Sequence, residues 1–444
     1  MNERYIAAIE VSSSKIVAAI GKTKGAGHLD VIAVEHEQTG EVGVRYGIIQ
    51  NLEETSLAVS RIFSRLEHKS SVQPRKIKSV IVGLGGRSLK NIIKEVSLSL
   101  PEDTEITDEI LERLHDQAIH SAIDNTLEIV DAVPRVFKVG NSQTASPKGM
   151  IGNHISGVFD LIVCRPELKR NIKRTITDKL HLEVDGFVVT AMATGHLILT
   201  PEEKRLGCML VDMGAETTTV TIYQKGALHY LATIPMGGRN ISRDIASLGV
   251  VDSKAEEIKI TSGNALAESN VPNLEINGLK LSDISNLVVA RSEEIVANII
   301  AQLEYAGIKD SELQGGIVCI GGGFRMKGIL ELLEMESNIP VRRGTLPEYV
   351  RIEDTRANGV EMAEVASVLY AGATLTDKES LYMPERPGMP VNGVLPLEND
   401  DSDEEKKSNK SETPSKPKSS FFEKMGKRIG SLFSGNEDDD TELI

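Results

Sequence analysis

Glu10-Val11-Ser12-Ser13-Ser14-Lys15 and, about two hundred residues later, Asp212-Met213-Gly214-Ala215-Glu216-Thr217-Thr218-Thr219 are short acidic, hydroxyl-rich turns between runs of strand-forming residues. Tyr5 to Ile9 and Ile16 to Ile20 flank the first, and Met209 to Val211 and Val220 to Tyr223 flank the second. Each unit therefore predicts strand, tight turn, strand. Turns of this kind aim backbone N–H groups and hydroxyls at an anion. Small residues let the backbone approach phosphate oxygens, and Lys15 offers a point charge. Glu10 or Asp212 suits a hard cation such as Mg²⁺, held mostly through water, and either could position a water. One such turn is usually an ordinary hairpin. Two facing each other predict a grip on a polyphosphate, through Ser12, Ser13, Ser14 and Lys15 on one side and Gly214, Ala215, Glu216, Thr217 and Thr218 on the other.

A third turn follows the apolar run Ile317 to Ile320, where Gly321, Gly322 and Gly323 precede a helix-like stretch from Met326 to Met335. A flat ligand ring could lie on that glycine backbone, or the run could be a strand-to-helix loop that needs positive φ. Glu256 and Lys259, three apart in a helical stretch, share a face. They suit contact with a ribose, or they form a solvated ion pair.

The chain has 444 residues, enough for more than one core, and a net charge of −15 with no tryptophan and 4 % aromatic residues. This balance argues against nucleic acid as a partner, because phosphate contact needs clustered Lys and Arg. Cys164, Cys208 and Cys319 lie far apart among apolar neighbours. Their spacing suits neither zinc nor a redox motif and predicts buried thiols in a reducing compartment. The N-terminus lacks a secretory pattern and no apolar run is long enough to span a bilayer, so a cytoplasmic location is expected.

Helical spacing from Glu53 to Glu67, through Leu57, Ile62, Phe63 and Leu66, predicts a helix capped by Asn51. From Gly83 to Cys164 short strands alternate with one helix, Asp108 to Ala122, opened by Thr107. That stretch predicts a small α+β insert. Elements before and after it repeat in the second half in the same order, which suggests duplication.

Beyond Met383, prolines lead into an acidic run from Glu398 to Glu405 and then a Lys, Ser and Pro tract, the composition of a disordered linker. The segment Ser419 to Phe433 differs. On a helical wheel Phe421, Phe422, Met425, Ile429, Leu432 and Phe433 share one arc, with Lys424, Lys427 and Arg428 beside or opposite it. An apolar stripe with basic flanks on a flexible tether suits an anionic membrane surface, the alternative being a protein groove.

Together these residues resemble the FtsA family of actin-like bacterial cell division proteins. The turns resemble its two phosphate loops, Gly321 to Gly323 its adenosine motif, and Glu256 and Lys259 the ribose-contacting pair of actin-like ATPases. The resemblance implies an α/β, actin-like two-domain fold with duplicated mixed-sheet cores, an inserted α+β subdomain and a disordered C-terminal tether. It lays the chain out as first-domain core (1–82, 165–204, 360–384), insert (83–164) and second-domain core (205–239, 312–359) with an outer subdomain (240–311). Linker (385–417), amphipathic helix (418–434) and acidic tail (435–444) follow. It implies ATP and Mg²⁺ as cofactors, at most slow ATPase activity, self-assembly into filaments, binding of FtsZ through 240–311 and of other division proteins through the insert. The implied place is the cytoplasmic face of the inner membrane at the septum. Alternatives are a soluble kinase or phosphatase of the superfamily, or an adaptor like PilM of pilus assembly. Ser12, and Ala215 with Glu216, stand where the family's loops have glycine, and are expected to narrow the phosphate site.

Overall fold

The computed structural model describes residues 3–23, 27–40, 43–266, 273–354 and 362–384. The linker, amphipathic segment and acidic tail expected over 385–444 lie outside the described residues.

A six-stranded sheet forms the first domain, in the order Glu183–Val189, Ser79–Leu84, Arg4–Val11, Lys15–Thr23, Leu29–Gln38, Val350–Ile352. Its central strands are almost wholly buried, as near-continuous Ile, Val and Ala runs require of a sheet covered on both faces. The helix Ala363–Leu375 packs on that sheet together with Thr190–Ile198. The helix Leu52–Glu67 starts at Asn51, whose side chain accepts the Glu53 and Glu54 N–H groups. It buries Val59, Ile62, Phe63 and Leu66. Leu57 was expected on that face but is 53 % exposed, because the buried stripe is set by Val59 and its i+3, i+4 and i+7 neighbours.

The second domain repeats the plan. Ala227–Ile234, Thr218–Gln224, Cys208–Met213, Ile317–Ile320 and Val341–Arg343 follow one another as two antiparallel and then two parallel pairings. Leu29–Gln38, Lys15–Thr23, Arg4–Val11, Ser79–Leu84 and Glu183–Val189 do the same in the first sheet. The order of pairing establishes the duplication that turn chemistry and the order of elements suggested.

Two features depart from expectation. Val350–Ile352, placed in the second domain by sequence, pairs in parallel with Leu29 to Val31 and so belongs to the first sheet. A three-residue strand carries too little pattern to reveal its partner. The insert, which interrupts the first domain, has its own core of Leu114, Ala118, Ile155 and Phe159. Yet its strand Lys90–Glu105 continues the second domain's sheet through Ala232, opposite Lys90. Asn91 accepts the Leu231 N–H at 2.9 Å, and Arg135 donates to the His229 carbonyl at 2.5 Å. Asp160 is fully buried and receives both Arg135, at 2.6 and 2.9 Å, and Asn91 at 2.6 Å.

Candidate functional site

The two turns are the same structure. Ser12 N–H donates to the Lys15 carbonyl at 3.0 Å, and Gly214 N–H to the Thr217 carbonyl at 2.8 Å. Each joins antiparallel strands, with Val11 opposite Ile16 and Met213 opposite Thr218. Glu10 and Asp212 thus occupy equivalent positions, next to last on their strands. The equivalence aligns Ser12 with Gly214, and Ser14 with Glu216. Among the described residues, the N–H groups of Ser13, Ser14, Ala215 and Glu216 have no acceptor, the condition for an anion-binding nest.

Both turns open on one cleft of about 1150 Å³. Glu10, Ser12, Ser13, Ser14, Lys15, Asp212, Gly214, Ala215, Thr217, Glu256, Lys259, Gly321, Gly322 and Gly323 line it, from segments spread over three hundred residues. Ser12 faces it, but its hydroxyl donates to the Lys15 carbonyl at 2.8 Å, closing its own turn. Gly321 has φ 90°, and a side chain there would meet Asp212 Oδ1 at 2.5 Å; at Gly322 nothing lies within 4 Å. Lys259 donates to Glu256 at 2.6 Å and to the Gly238 carbonyl at 3.1 Å. The pair is therefore tied to the start of the helix Gly238–Ala246 instead of standing free in solvent.

Two expected residues are not on the cleft wall. The Thr218 hydroxyl is buried and donates to the Met236 carbonyl at 2.8 Å. Glu216 was expected to narrow the phosphate site, but its carboxylate is fully buried on the far side of the turn. It accepts the Tyr46 N–H at 2.8 Å, Arg45 Nε at 3.0 Å and Arg243 at 2.6 Å, with Arg239 at 3.3 Å. Burial by itself would raise this carboxyl's pKa; the Tyr46 N–H and the three guanidiniums outweigh it and hold the group below its usual value. Arg239 also donates to the Ser13 carbonyl at 3.1 Å, so one guanidinium touches both turn systems.

The cleft floor crowds buried carboxylates together. Burial, followed by the facing carboxylates of Glu364 and Asp212, pushes Glu10 well above the carboxylate range, and Lys15 offsets this only partly. Asp212 is raised by burial and then by Glu364. Thr190 presents a buried hydroxyl with no partner among the described residues at the same cleft. Crowded carboxylates of this kind fit a nearby divalent cation, which would favour their charged forms. No group of three or more His, Cys, Asp and Glu among the described residues could hold a metal by itself.

Sequence reasoning missed Glu364, Arg45, Arg239 and Arg243. Glu364 could have been noticed as the lone charge in the apolar helix Ala363–Leu375. Arg239 and Arg243 are four apart directly after Gly237-Gly238, a helix face aimed back at the turn. Arg45 carried no signal.

A duplicated mixed sheet with paired turns over a shared cleft defines the actin-like class. The fold resembles a solved PilM-PilN type IV pilus biogenesis complex, with TM-score 0.58 at 15 % identity over 82 % of this chain and 97 % of that one. The model described as cell division protein FtsA matches residues 209–371, and that of the SHS2 domain inserted in FtsA matches 86–163. The chain is 26 % identical to the cell division protein FtsA of Pseudomonas aeruginosa over 406 residues, covering 87 % of this chain and 95 % of the relative. It is 27 % identical to that of Bacillus subtilis over 383 residues, covering 82 % and 84 %. The chain belongs to the FtsA family of cell division proteins.

Proposed function

We propose that this protein is an ATP-binding, filament-forming adaptor that anchors the FtsZ ring to the cytoplasmic face of the inner membrane at the septum and helps recruit later division proteins. The observation that carries the nucleotide part is the convergence of both turns, with their free N–H groups, on one cleft. In this reading Ser12 to Lys15 and Gly214, Ala215 and Thr217 hold phosphates, Gly321 to Gly323 back the adenosine, and Glu256 and Lys259 reach the ribose. Glu10 and Asp212, with Glu364 beside them, orient the water shell of Mg²⁺. When bound, ATP supplies the charge that both turns contact at once. Hydrolysis is at most slow, since Ser12 puts a side chain where its counterpart is Gly214.

The adaptor part rests on family membership and on the amphipathic pattern of Phe421 to Phe433, outside the described residues. Binding of FtsZ is assigned to 240–311 and of other division proteins to the insert. No described helix is long and apolar enough to cross a membrane. Calorimetry with ATP and Mg²⁺ tests the site, and co-sedimentation with anionic vesicles compares the full chain with one ending at Pro384. Heat of binding and a large loss of sedimentation on truncation are expected. No heat refutes the nucleotide site, and equal sedimentation refutes the anchor.

A further inference from the structure

One face of the first domain reverses the sign of an otherwise acidic chain. The helix Pro166–Lys173 and the turn Arg174–Lys179 that continues it bury Leu168, Ile172, Thr175 and Ile176. At about 100° per residue, Arg170, Lys173 and Arg174 then fall away from the buried side, with Lys169 at its edge. Arg170, Lys173 and Arg174 are exposed. Lys169 lies alongside with its ammonium 5.3 Å from the centre of the Phe187 ring. The Arg165 N–H donates to Ser88 at 3.2 Å, which ties the start of this helix to the loop after Ser79–Leu84.

The carboxylates of this stretch do not balance it. Glu167 sits 3.9 Å from Arg165, and Asp178 lies one turn beyond Arg174. Lys179 is already paired with Glu53 at 3.0 Å. Among the described residues, Arg170, Lys173 and Arg174 have no ion pair. In a chain of net charge −15, an uncompensated basic surface is a local inversion of the field, and such a surface attracts an extended anion.

The route of the chain indicates which anion. The last described strand, Leu381–Tyr382, pairs with Lys76–Ile77 in the first domain. Lys76 in turn binds Glu67, the last residue of Leu52–Glu67, and Glu53 at the other end of that helix binds Lys179. The basic face and the point where the tail departs thus lie toward opposite ends of the same helix. The linker that composition leads one to expect over 385–417 would have a typical span of roughly 30 Å. A segment anchored beyond it would keep the folded body close to a surface without fixing which side faces it.

We propose that the face formed by Lys169, Arg170, Lys173 and Arg174, with Arg165 at its margin, is a second membrane contact, made by the folded body with anionic phospholipid headgroups. It rests on the anchoring reading above, and it orients the body that the anchor only tethers. The other occupant of suitable charge is the acidic run Glu398 to Glu405 of the same chain, which the test distinguishes.

The test uses the full chain with vesicles of neutral lipid and vesicles containing phosphatidylglycerol, and reads acetylation of Lys169 and Lys173 by mass spectrometry. On anionic vesicles the two lysines are expected to react at least about fivefold more slowly than in free protein, with the protection lost at high salt and absent on neutral vesicles. The substitutions Arg170→Ala, Lys173→Ala and Arg174→Ala together should weaken vesicle binding at least about fivefold while leaving ATP binding and the thermal transition unchanged. Sedimentation with unprotected lysines overturns the proposal and leaves the anchor intact. Loss of sedimentation to anionic vesicles overturns both. Protection already present without vesicles, and released by replacing the acids of 398–405 with Ser or Asn, overturns it in favour of the tail.

Discussion

The Glu216 carboxylate, in the second domain, accepts the backbone N–H of Tyr46, in the first, at 2.8 Å. Arg45 binds it from the same side, while Arg239 and Arg243 close on it from its own domain. A side chain that sequence placed among the phosphate ligands is thus a clasp between the halves.

Removing that carboxylate leaves guanidiniums facing one another. Glu216→Ala is expected to lower stability by roughly 2–4 kcal/mol, with Glu216→Gln intermediate, measured by urea unfolding. The sign of the pH dependence follows from the lowered folded pKa. The carboxylate's contribution is fully present above its unfolded value and is lost as pH falls through the folded one. The gap between wild type and Glu216→Ala should therefore shrink on acidification, and a constant gap would count against the clasp.

Asp212 behaves in the opposite sense. Its folded pKa is raised, first by burial and then by Glu364, so the folded state holds its proton more tightly and stability falls as pH climbs from the unfolded value through the folded one. Asp212→Asn should raise the melting temperature by a few degrees above neutral pH, with the gain vanishing in acid, while Mg²⁺-dependent ATP binding drops. Melting curves across pH with parallel calorimetry check both halves. A variant that is less stable at every pH would contradict this account of the floor.

Gly321 and Gly322 are adjacent and predict different failures. Gly321→Ala forces a side chain onto Asp212 Oδ1 at φ 90°, and is expected to cost about 1–3 kcal/mol of stability. Gly322→Ala meets nothing within 4 Å and should fold like wild type. Because Gly322 lines the cleft, its new methyl should still weaken nucleotide binding. Wild-type affinity in Gly322→Ala would show that the glycine wall is a loop requirement only.

Asp160 organises the seam between insert and second domain. Burial raises its pKa despite Arg135, so the pairing with Arg135 and Asn91 is what makes an ionised carboxylate tolerable there. Asp160→Ala is expected to destabilise the seam by about 3 kcal/mol. Hydrogen exchange at Leu231 and Lys90 should accelerate well before the central strands do.

How far this was legible depends on the range of each relationship. The two turns could be read because strand, turn and hydroxyl chemistry are local, and the same holds for the Asn51 and Thr107 caps. The direction of the Glu216 side chain could not, since its partner Arg45 is 171 positions away and a turn residue can face either way. The seam of the insert depends on a single strand pair, Ala232 with Lys90, reinforced by side chains. One pair leaves no periodic trace. Glu364 was hidden for a different reason, as one acid in an apolar helix resembles a surface residue until the fold turns it inward.

The insert leaves the first domain after Ser79–Leu84 and returns at Pro166, yet its outer strand is sewn to the second domain at Leu231 and His229. It joins the two domains like a crossbar fastened to both leaves of a hinge. Any opening of the leaves must carry this bar along or tear its stitches at Ala232, Leu231 and His229.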